Sequence, residues 1–241
     1  GQYPLALNTG RVRDHWHTMT RTGLAARLSA HAIEPYIEIH PLDAAKYGVA
    51  DGALARVESK WGRSSVRVKV SDSQRSGSVF VPMHWNDQFT SAGCIDTVVN
   101  PATDPVSGEP EFKHTPVRIV PLKPAWYGFL LSRRKLIPDA AAYWAAARGQ
   151  GLWRYELAGD ELPQDWASAA RAVLCARDEK VEWIEYFDKA ARCYRAARLT
   201  GGKLESCIFI GPNPELPPRD WLAGLFALEA LDTQTRAGLL A

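Results

Sequence analysis

A closed β barrel followed by a smaller α+β domain is the mixed fold that the sequence predicts, from three observations. Short β-rich runs alternate with Gly and Pro turns before Pro121, and one short helix interrupts them. Ala-rich helical runs and six of the nine tryptophans follow Pro124. Short strands at close spacing with a single small helix favour a barrel over a parallel α/β sheet. We therefore expect two domains, residues 1–122 and 125–241.

The first domain contains four predicted strands and one predicted helix. The strands are Tyr36–His40, Leu54–Ser59, Ser65–Val70 and Ser78–Met83, and the helix is Pro41–Tyr47. Proline is tolerated in the first turn of a helix and glycine commonly ends one, so Pro41 and Gly48 mark the helix ends. A turn at Gly62 joins the second and third strands into a hairpin.

The second domain contains two predicted helices, a hairpin and a terminal helix. The helices are Asp139–Ala147 and Asp165–Leu174, the hairpin strands are Tyr194–Leu199 and Lys203–Ile210, and the amphipathic terminal helix is Arg219–Leu231. Pro138 and Pro163 stand just ahead of the first two helices, and Gly201-Gly202 supplies the hairpin turn. We expect no internal repeat.

Charge, hydropathy and cysteine spacing exclude several classes of function. The chain carries 29 basic and 27 acidic residues, which is too balanced for a protein held on nucleic acid by phosphate neutralisation. No stretch approaches the roughly 18 apolar residues of a membrane span, and no secretory signal is recognisable, so we expect a cytoplasmic protein without a membrane partner. The four cysteines form no C-x-x-C or C-x-C pair, so we expect no metal site.

Positive charge and imidazole groups are concentrated near the amino end of the chain. Between Thr9 and His31 there are four arginines, one acidic residue and three of the six histidines. This composition favours a local anion site. Thr9-Gly10-Arg11 is suited to such a site, because glycine lets backbone amides approach an anion, threonine donates a hydrogen bond and arginine binds phosphate through two N–H groups. An ordinary turn can have the same composition.

Two further segments carry side chains suited to a heterocyclic ligand. In His15-Trp16-His17-Thr18 the two imidazoles project from one side of an extended chain. Three interpretations of this pair compete: a metal site that lacks a third ligand, a structural pair, or the walls of a cofactor pocket. Thr18, Thr20 and Thr22 then alternate and place up to three hydroxyls on one edge. In the loop from Asn100 to Lys113, asparagine and aspartate side chains can bind the edge of a heterocycle, and Lys113 can bind a phosphate. The alternative is a solvated connection made of Asx turns.

Three separated motifs in this order resemble one family. They are Thr9-Gly10-Arg11-x-x-x-His15-Trp16-His17-Thr18-Met19-Thr20-Arg21-Thr22-Gly23, the segment Glu38-x-His40-Pro41-x-Asp43-Ala44 running to Gly48-x-x-Asp51-Gly52, and Asp104-Pro105-x-Ser107-Gly108-x-Pro110-Glu111-Phe112-Lys113. Together they resemble the molybdopterin-dinucleotide-binding domain at the C-terminal end of bis-molybdopterin guanine dinucleotide oxidoreductases. Met19-Thr20-Arg21-Thr22-Gly23 and Pro82-Met83-His84-Trp85 look closest to the assimilatory nitrate reductase branch.

The resemblance implies a double-psi β barrel over residues 1–122 that closes over one face of the cofactor, molybdopterin guanine dinucleotide. It implies that Thr9, Gly10 and Arg11 lie near the pyrophosphate, that His15, Trp16, His17, Thr18 and Thr20 lie against the pterin, and that Asn100, Phe112 and Lys113 complete the pocket. All of these are binding roles, and none is catalytic.

The family's reaction is the reduction of nitrate to nitrite at molybdenum, in nitrate assimilation. In that family, preceding domains supply the protein ligand of the molybdenum and hold an iron–sulfur cluster. Because the chain begins at Gly1 and not at Met, we expect a fragment of a longer polypeptide. Since the resemblance assigns the metal ligand and the cluster to preceding domains, we expect this fragment to be inactive alone. Its expected partners are those N-terminal catalytic domains and an electron-donor protein or module. Residues 125–241 more loosely resemble the extra C-terminal region of some bacterial assimilatory nitrate reductases, which a [2Fe-2S] module follows.

A hypothesis from another class remains open. The barrel could be a protein-interaction adaptor that binds no cofactor, since one fold serves many functions. An adaptor has no reason to place arginines, imidazoles and threonines together between Thr9 and Thr22, whereas a pocket for a phosphorylated pterin has. A stand-alone hydrolase is disfavoured, because the chain has no G-x-S-x-G elbow.

Overall fold

The computed structural model of the chain describes residues 1–15, 18–175 and 181–240. Two compact units divide the chain, Gly1–Lys123 and Pro124–Ala241. Within the described residues, no helix combines the length and the apolar character needed to cross a bilayer.

The first unit is built around a closed barrel. Its strands are β1 (Leu5–Gly10), β2 (Tyr36–Ile39), β3 (Leu54–Glu58), β4 (Arg63–Val70), β5 (Ser78–Pro82), β6 (Asn100–Thr103), β7 (Pro110–Glu111) and β8 (Thr115–Pro121). Six of them close in the order β1-β5-β2-β4-β3-β8, with β8 pairing back to β1, while β6 and β7 form a separate ribbon. β1 runs parallel to β5 and β2 runs parallel to β4. The predicted barrel is confirmed.

Alternating apolar side chains fill the barrel. Leu5, Leu7, Ile37, Ile39, Val79 and Val81 are each at most 2% exposed. Burying one such side chain contributes about 1.5–3 kcal/mol, so the interior holds the strands in register. The four predicted strands are confirmed. They could be predicted because the alternation of apolar residues is visible in the sequence. β1 and β8 were not predicted, since Thr9-Gly10 resembles a turn and β8 contains two prolines, which disfavour sheet.

Short helical segments connect the strands: a 3₁₀ turn at Thr22–Leu24, α1 (Ala26–Ser29), α2 (Pro41–Tyr47) and a second 3₁₀ turn at Ile95–Thr97. The predicted bounds of α2 are confirmed. The His40 side chain accepts a hydrogen bond from the Leu42 N–H at the start of α2, and Gly48 ends it at φ 67°, where glycine is favoured. Buried Asp43 accepts from the Gly77 N–H at 2.7 Å, so α2 is tied to the turn before β5.

The second unit is a six-stranded antiparallel sheet with short helices. Its elements are β9 (Trp126–Ser132), β10 (Tyr143–Arg148), β11 (Trp153–Gly159), α3 (Trp166–Leu174), β12 (Glu182–Asp188), β13 (Cys193–Thr200), β14 (Lys203–Gly211), α4 (Arg219–Leu225) and α5 (Thr233–Gly238). The strand order is β10-β11-β9-β14-β13-β12. The predicted β13–β14 hairpin is confirmed, as is the helix α3, which begins after the N-cap Asp165.

The predicted helix Asp139–Ala147 is wrong, because Tyr143–Arg148 is a strand paired with β11. Ala145 and Ala146 point to opposite faces of the sheet, and both are completely buried. Alanine's helix preference is less than about 1 kcal/mol per residue, and pairing with β11 under cover on both faces outweighs it. The predicted terminal helix Arg219–Leu231 is also too long, since α4 ends at Leu225 and the Leu231 N–H donates to the Gly202 carbonyl.

A hairpin followed by a helix occurs twice in the second unit, so the expectation of no internal repeat is wrong. In the sheet order, β10 and β11 lie on one side of β9, and β14 and β13 lie on the other. Along the chain, α3 follows the first pair and α4 follows the second. A Leu-Pro pair followed by an Asp-Trp pair marks the start of each helix. The pairs are Leu162-Pro163 and Asp165-Trp166 at α3, and Leu216-Pro217 and Asp220-Trp221 at α4. The insertion of Pro218 and the different strand residues hide this likeness in the sequence.

Candidate functional site

The end of β1 is joined to the β7–β8 connection by three hydrogen bonds. The Thr9 hydroxyl donates to the Phe112 carbonyl at 2.9 Å, the Thr9 N–H donates to the same oxygen at 3.1 Å, and the Lys113 Nζ donates to the Thr9 carbonyl at 2.6 Å. Thr9 is completely buried. The Thr9 hydroxyl is thus engaged within the protein and positions the neighbouring segment. The sequence had predicted a hydrogen bond from this hydroxyl to an anion.

Gly10 allows a close approach at the strand end. A Cβ at this position would lie 2.9 Å from Phe80 Cε2 and 4.0 Å from Lys113 Nζ, and the Gly10 carbonyl accepts from the Met83 N–H. Any larger residue would displace the Phe80 ring. Arg11 follows on the exposed side, and within the described part of the chain it forms no hydrogen bond or ion pair. The guanidinium is therefore available to an anion.

A buried cluster of His15, His84 and Trp85 lies beside this strand end. None of the three is more than 2% exposed, and the His15 ring centroid is 5.3 Å from that of His84 and 4.9 Å from that of Trp85. His84 Nε2 accepts from the Val12 N–H at 3.0 Å. Among the described residues, no well-formed hydrogen bond reaches four buried nitrogens of the cluster, which are both ring nitrogens of His15, His84 Nδ1 and Trp85 Nε1. The Ala32 carbonyl makes a weaker contact with the His15 ring.

These unpartnered nitrogens amount to three buried N–H donors. Because His84 Nε2 accepts a hydrogen bond, the proton of its neutral ring is on Nδ1; the indole donates through Nε1, and neutral His15 donates through one nitrogen. A buried polar group without a partner costs about 1–3 kcal/mol, so native folds rarely collect several in one place. The arrangement matches a ligand rich in hydrogen-bond acceptors.

Burial keeps both imidazoles neutral near pH 7. It lowers the pKa of His84 to about 4, with smaller contributions from His15 and from the Arg11 charge. Burial also lowers the pKa of His15. The positive charge of the site therefore belongs to Arg11 and Lys113, while the imidazoles serve as neutral donors and acceptors.

The segment between β1 and α1 turns where an extended chain was expected. Thr18 and Met19 have φ values of 45° and 69°, in the left-handed region that a β-branched residue such as threonine rarely adopts. Thr18 and Thr20 are exposed, whereas Thr22 is buried and donates to the Asp14 carbonyl at 2.9 Å. The expected row of three threonine hydroxyls on one edge is thus wrong. Trp16 and His17 lie outside the described residues.

An ion-pair cluster fastens the start of this segment. The Asp14 carboxylate accepts from the Arg13 guanidinium at 3.0 Å and contacts the His31 ring. Hydrogen bonds from Arg13 and His31 lower the pKa of Asp14 to about 2. Asp14, the residue directly before His15, is therefore linked to His31, two residues beyond the end of α1.

The segment from β6 to β7, which begins at Asn100, is ordered by its own side chains. Asn100 Oδ1 accepts from the Ala102 N–H at 3.1 Å, and its backbone N–H donates to the Thr115 hydroxyl. Asp104 Oδ1 accepts from the backbone N–H groups of Val106 and Ser107. The Asx-turn interpretation therefore holds for both Asn100 and Asp104. The Asn100 amide nitrogen has no partner among the described residues.

Sequence reasoning did not assign His84 and Trp85 to the site. They follow β5 after a single residue, Met83. The strand pairs in parallel with β1, so that Thr9 lies opposite Val81 and Gly10 opposite Pro82. Parallel neighbours end at the same edge of a sheet, and this brings His84 to the segment that carries His15. The pairing of strands 70 residues apart leaves no local sign, although the adjacent His-Trp pair after a strand was a usable signal.

Comparison with known proteins gives one family match and many relatives. Residues 5–116 match the family described as "Molydopterin dinucleotide binding domain". A nitrate reductase of Klebsiella oxytoca is 48% identical over 164 residues, which are 68% of this chain and 19% of that protein. That alignment is longer than the first unit, so the similarity reaches into the second.

Two further relatives align over about half of this chain. The assimilatory nitrate reductase catalytic subunit of Bacillus subtilis is 42% identical over 120 residues, 50% of this chain and 16% of that protein. Formate dehydrogenase H of Escherichia coli is 33% identical over 122 residues, also 50% of this chain and 16% of that protein. The chain thus spans less than a fifth of the length of these three relatives.

Proposed function

We propose that this chain is the C-terminal cofactor-binding part of a molybdenum nitrate reductase, because residues 5–116 match the molybdopterin dinucleotide-binding family. The cofactor is molybdopterin guanine dinucleotide, held as a pair on molybdenum in the whole enzyme. The whole enzyme reduces nitrate to nitrite for nitrate assimilation in the cytoplasm. This chain binds the cofactor and is inactive by itself.

The observation that carries this proposal is the set of buried N–H donors on His15, His84 and Trp85 next to Arg11, which has no partner among the described residues. A pterin dinucleotide fits them, because its ring carbonyl, ring nitrogens and pyrophosphate oxygens are acceptors and its phosphates are anionic. An adaptor surface would gain nothing from several unpartnered donors buried in one place. This argues for the cofactor pocket over the adaptor hypothesis.

The roles of the chain's own residues follow from their contacts. Arg11 and Lys113 bind and orient the anionic part, and Gly10 leaves room beside it. His15, His84 and Trp85 donate hydrogen bonds to ring acceptors and exclude water from that face. When bound, the cofactor supplies oxygen-atom transfer and two-electron chemistry at its metal. The remaining pocket residues proposed from the sequence are Thr9, Trp16, His17, Thr18, Thr20, Asn100 and Phe112.

Nitrate is proposed over formate because the relatives of higher identity are named nitrate reductases. The proposed partners are the N-terminal catalytic domains of the same enzyme, which hold an iron–sulfur cluster, and an electron-donor protein or module. The second unit is proposed to be the extension that precedes a [2Fe-2S] module.

Calorimetric titration of the chain with molybdopterin guanine dinucleotide, released from a purified molybdoenzyme, tests the binding role. Arg11→Ala should weaken binding by about 1.5–3 kcal/mol, the contribution of one hydrogen bond to a charged group. The matched control is Arg75→Ala, a change at an exposed arginine in the turn before β5. Equal dissociation constants for Arg11→Ala and the unaltered chain would remove Arg11 from the site, and no binding by the unaltered chain would contradict the proposal.

A further inference from the structure

A cavity of about 400 Å³ lies in the second unit, between the start of α3 and the β12–β13 hairpin. Its lining includes Trp166, Phe187 and Tyr194, the two cations Lys189 and Arg192, and the carboxylate of Glu185. A volume of this size falls within the range of small-molecule sites. None of these residues belongs to the barrel, so the cavity is independent of the cofactor pocket proposed above.

The floor of the cavity is aromatic. The Tyr194 ring, which is 2% exposed, is nearly parallel to that of Trp166, with centroids 6.1 Å apart and an interplanar angle of 16°. Phe187 meets Tyr194 edge to face at 6.0 Å and is 44% exposed. A flat ring entering here would find faces to stack on, and such contacts are favourable.

The acidic groups of the cavity are already engaged by hydrogen bonds. Glu185 Oε2 accepts from the Tyr194 hydroxyl and from Trp183 Nε1, both at 2.9 Å. Asp165, the N-cap of α3, accepts from the Ala167 N–H and from the Ser168 hydroxyl. These carboxylates orient the cavity walls.

The cations are not engaged in this way. Among the described residues, neither Lys189 nor Arg192 forms a hydrogen bond or an ion pair. Both belong to the turn between β12 and β13, and both line the cavity. Two neighbouring cations without partners can bind an anionic group through charge-assisted hydrogen bonds.

Arg192 occupies a backbone position that suits glycine better. Its φ is 54°, in the left-handed region, where a long side chain costs conformational free energy. A turn of this kind commonly uses glycine or asparagine. The arginine side chain is thus present at a cost to the fold, which points to a use for its charge.

We propose that this cavity binds a mononucleotide, with the base against Trp166 and Phe187 and the phosphate on Lys189 and Arg192. An aromatic floor and a paired cationic rim are the two features that this ligand class requires. The site is separate from the pterin pocket, so either assignment can fail without the other.

Isothermal titration calorimetry of the chain with AMP, adenosine and inorganic phosphate tests the proposal. AMP should bind with a dissociation constant below about 1 mM, at least about tenfold tighter than either adenosine or phosphate alone, because ring and anion contacts add. Failure to bind AMP, or binding no tighter than that of phosphate, would overturn it.

Two variants separate the contributions. Arg192→Gly suits the left-handed backbone, so it should keep or raise the melting temperature while weakening AMP about tenfold or more and leaving adenosine unchanged. Phe187→Ala removes an exposed ring and should weaken AMP while leaving phosphate unchanged. Arg75→Ala serves again as the control. An Arg192→Gly protein that binds AMP as tightly as the unaltered chain would refute the assignment.

Discussion

The Nζ of Lys113 donates a hydrogen bond of 2.6 Å to the backbone carbonyl of Thr9, although 104 positions separate the two residues. This bond, together with the two from Thr9 to the Phe112 carbonyl, holds the end of β1 against the loop that leads into β8. The ammonium group is thereby fixed next to Gly10, where the candidate anion site begins. A single lysine thus both closes the loop and contributes charge to the site.

Lys113→Met keeps the aliphatic stem and removes the charge, so it should lower both stability and cofactor affinity. We expect a loss of about 1 kcal/mol in the free energy of unfolding and a several-fold weaker affinity for molybdopterin guanine dinucleotide. Urea denaturation and calorimetry measure the two effects. Lys123→Met, at an exposed lysine at the end of the first unit, is the matched control. If Lys113→Met behaves like this control, the bond to Thr9 has no energetic role.

His15 and His84 should respond differently to replacement by phenylalanine. His84 accepts the Val12 N–H, so His84→Phe leaves a buried donor without a partner and should cost about 1–3 kcal/mol of stability. Among the described residues the His15 ring has only a weak contact with the Ala32 carbonyl, so His15→Phe should cost less stability than His84→Phe. Both variants should bind the cofactor more weakly. A destabilised His15→Phe protein with intact binding would contradict the proposed ligand role of that ring.

The pKa of His84, lowered from its ordinary 6.5 to about 4, makes stability depend on pH. Between these values the unfolded chain binds the proton and the folded chain does not, so stability is complete above pH 6.5 and falls as the pH falls towards 4. The loss is at most about 3.5 kcal/mol, at about 1.4 kcal/mol per pKa unit. Urea denaturation between pH 7 and pH 4 measures it. His84→Gln, which retains an acceptor, should show a flatter profile, and equal slopes for the two proteins would exclude His84 as the cause.

The buried carboxylate of Glu156 should make its partner Arg219 important for the second unit. Glu156 is 5% exposed, and Arg219 reaches Oε2 at 2.7 Å while Arg154 reaches Oε1 at 3.0 Å. Arg219→Ala leaves the charge only partly compensated, so we expect a loss of about 3 kcal/mol in thermal or chemical unfolding. Arg236→Ala breaks the exposed pair with Glu182 and should cost no more than about 1 kcal/mol. Similar losses in the two variants would show that burial does not decide the effect.

Local chemistry made much of the fold predictable. The bounds of α2 follow from Pro41 and Gly48, and the β13–β14 hairpin follows from Gly201-Gly202, whose φ values are both positive. Capping and turn geometry depend on neighbouring residues, so these features are legible in a linear sequence. The same holds for the barrel strands with alternating apolar residues.

Other elements depended on distant partners. Tyr143–Arg148 has the composition of a helix, and it is a strand because β11 pairs with it and both faces are covered. β1 resembles a turn at Thr9-Gly10 until its pairing with β5 and β8 is known. The alternating Thr18, Thr20 and Thr22 suggest an extended edge, but the chain turns at Thr18 and Met19.

The candidate site divides in the same way. Thr9-Gly10-Arg11 and His15 attract attention as residue types in a short stretch, because their chemistry is intrinsic to the side chains. That His84 and Trp85 join His15, and that the Thr9 hydroxyl is engaged by Phe112, depends on strand pairing between segments 70 to 100 positions apart. Burial and pairing of this kind are properties of the closed barrel as a whole, and so only the folded structure could decide which donors are left for a ligand.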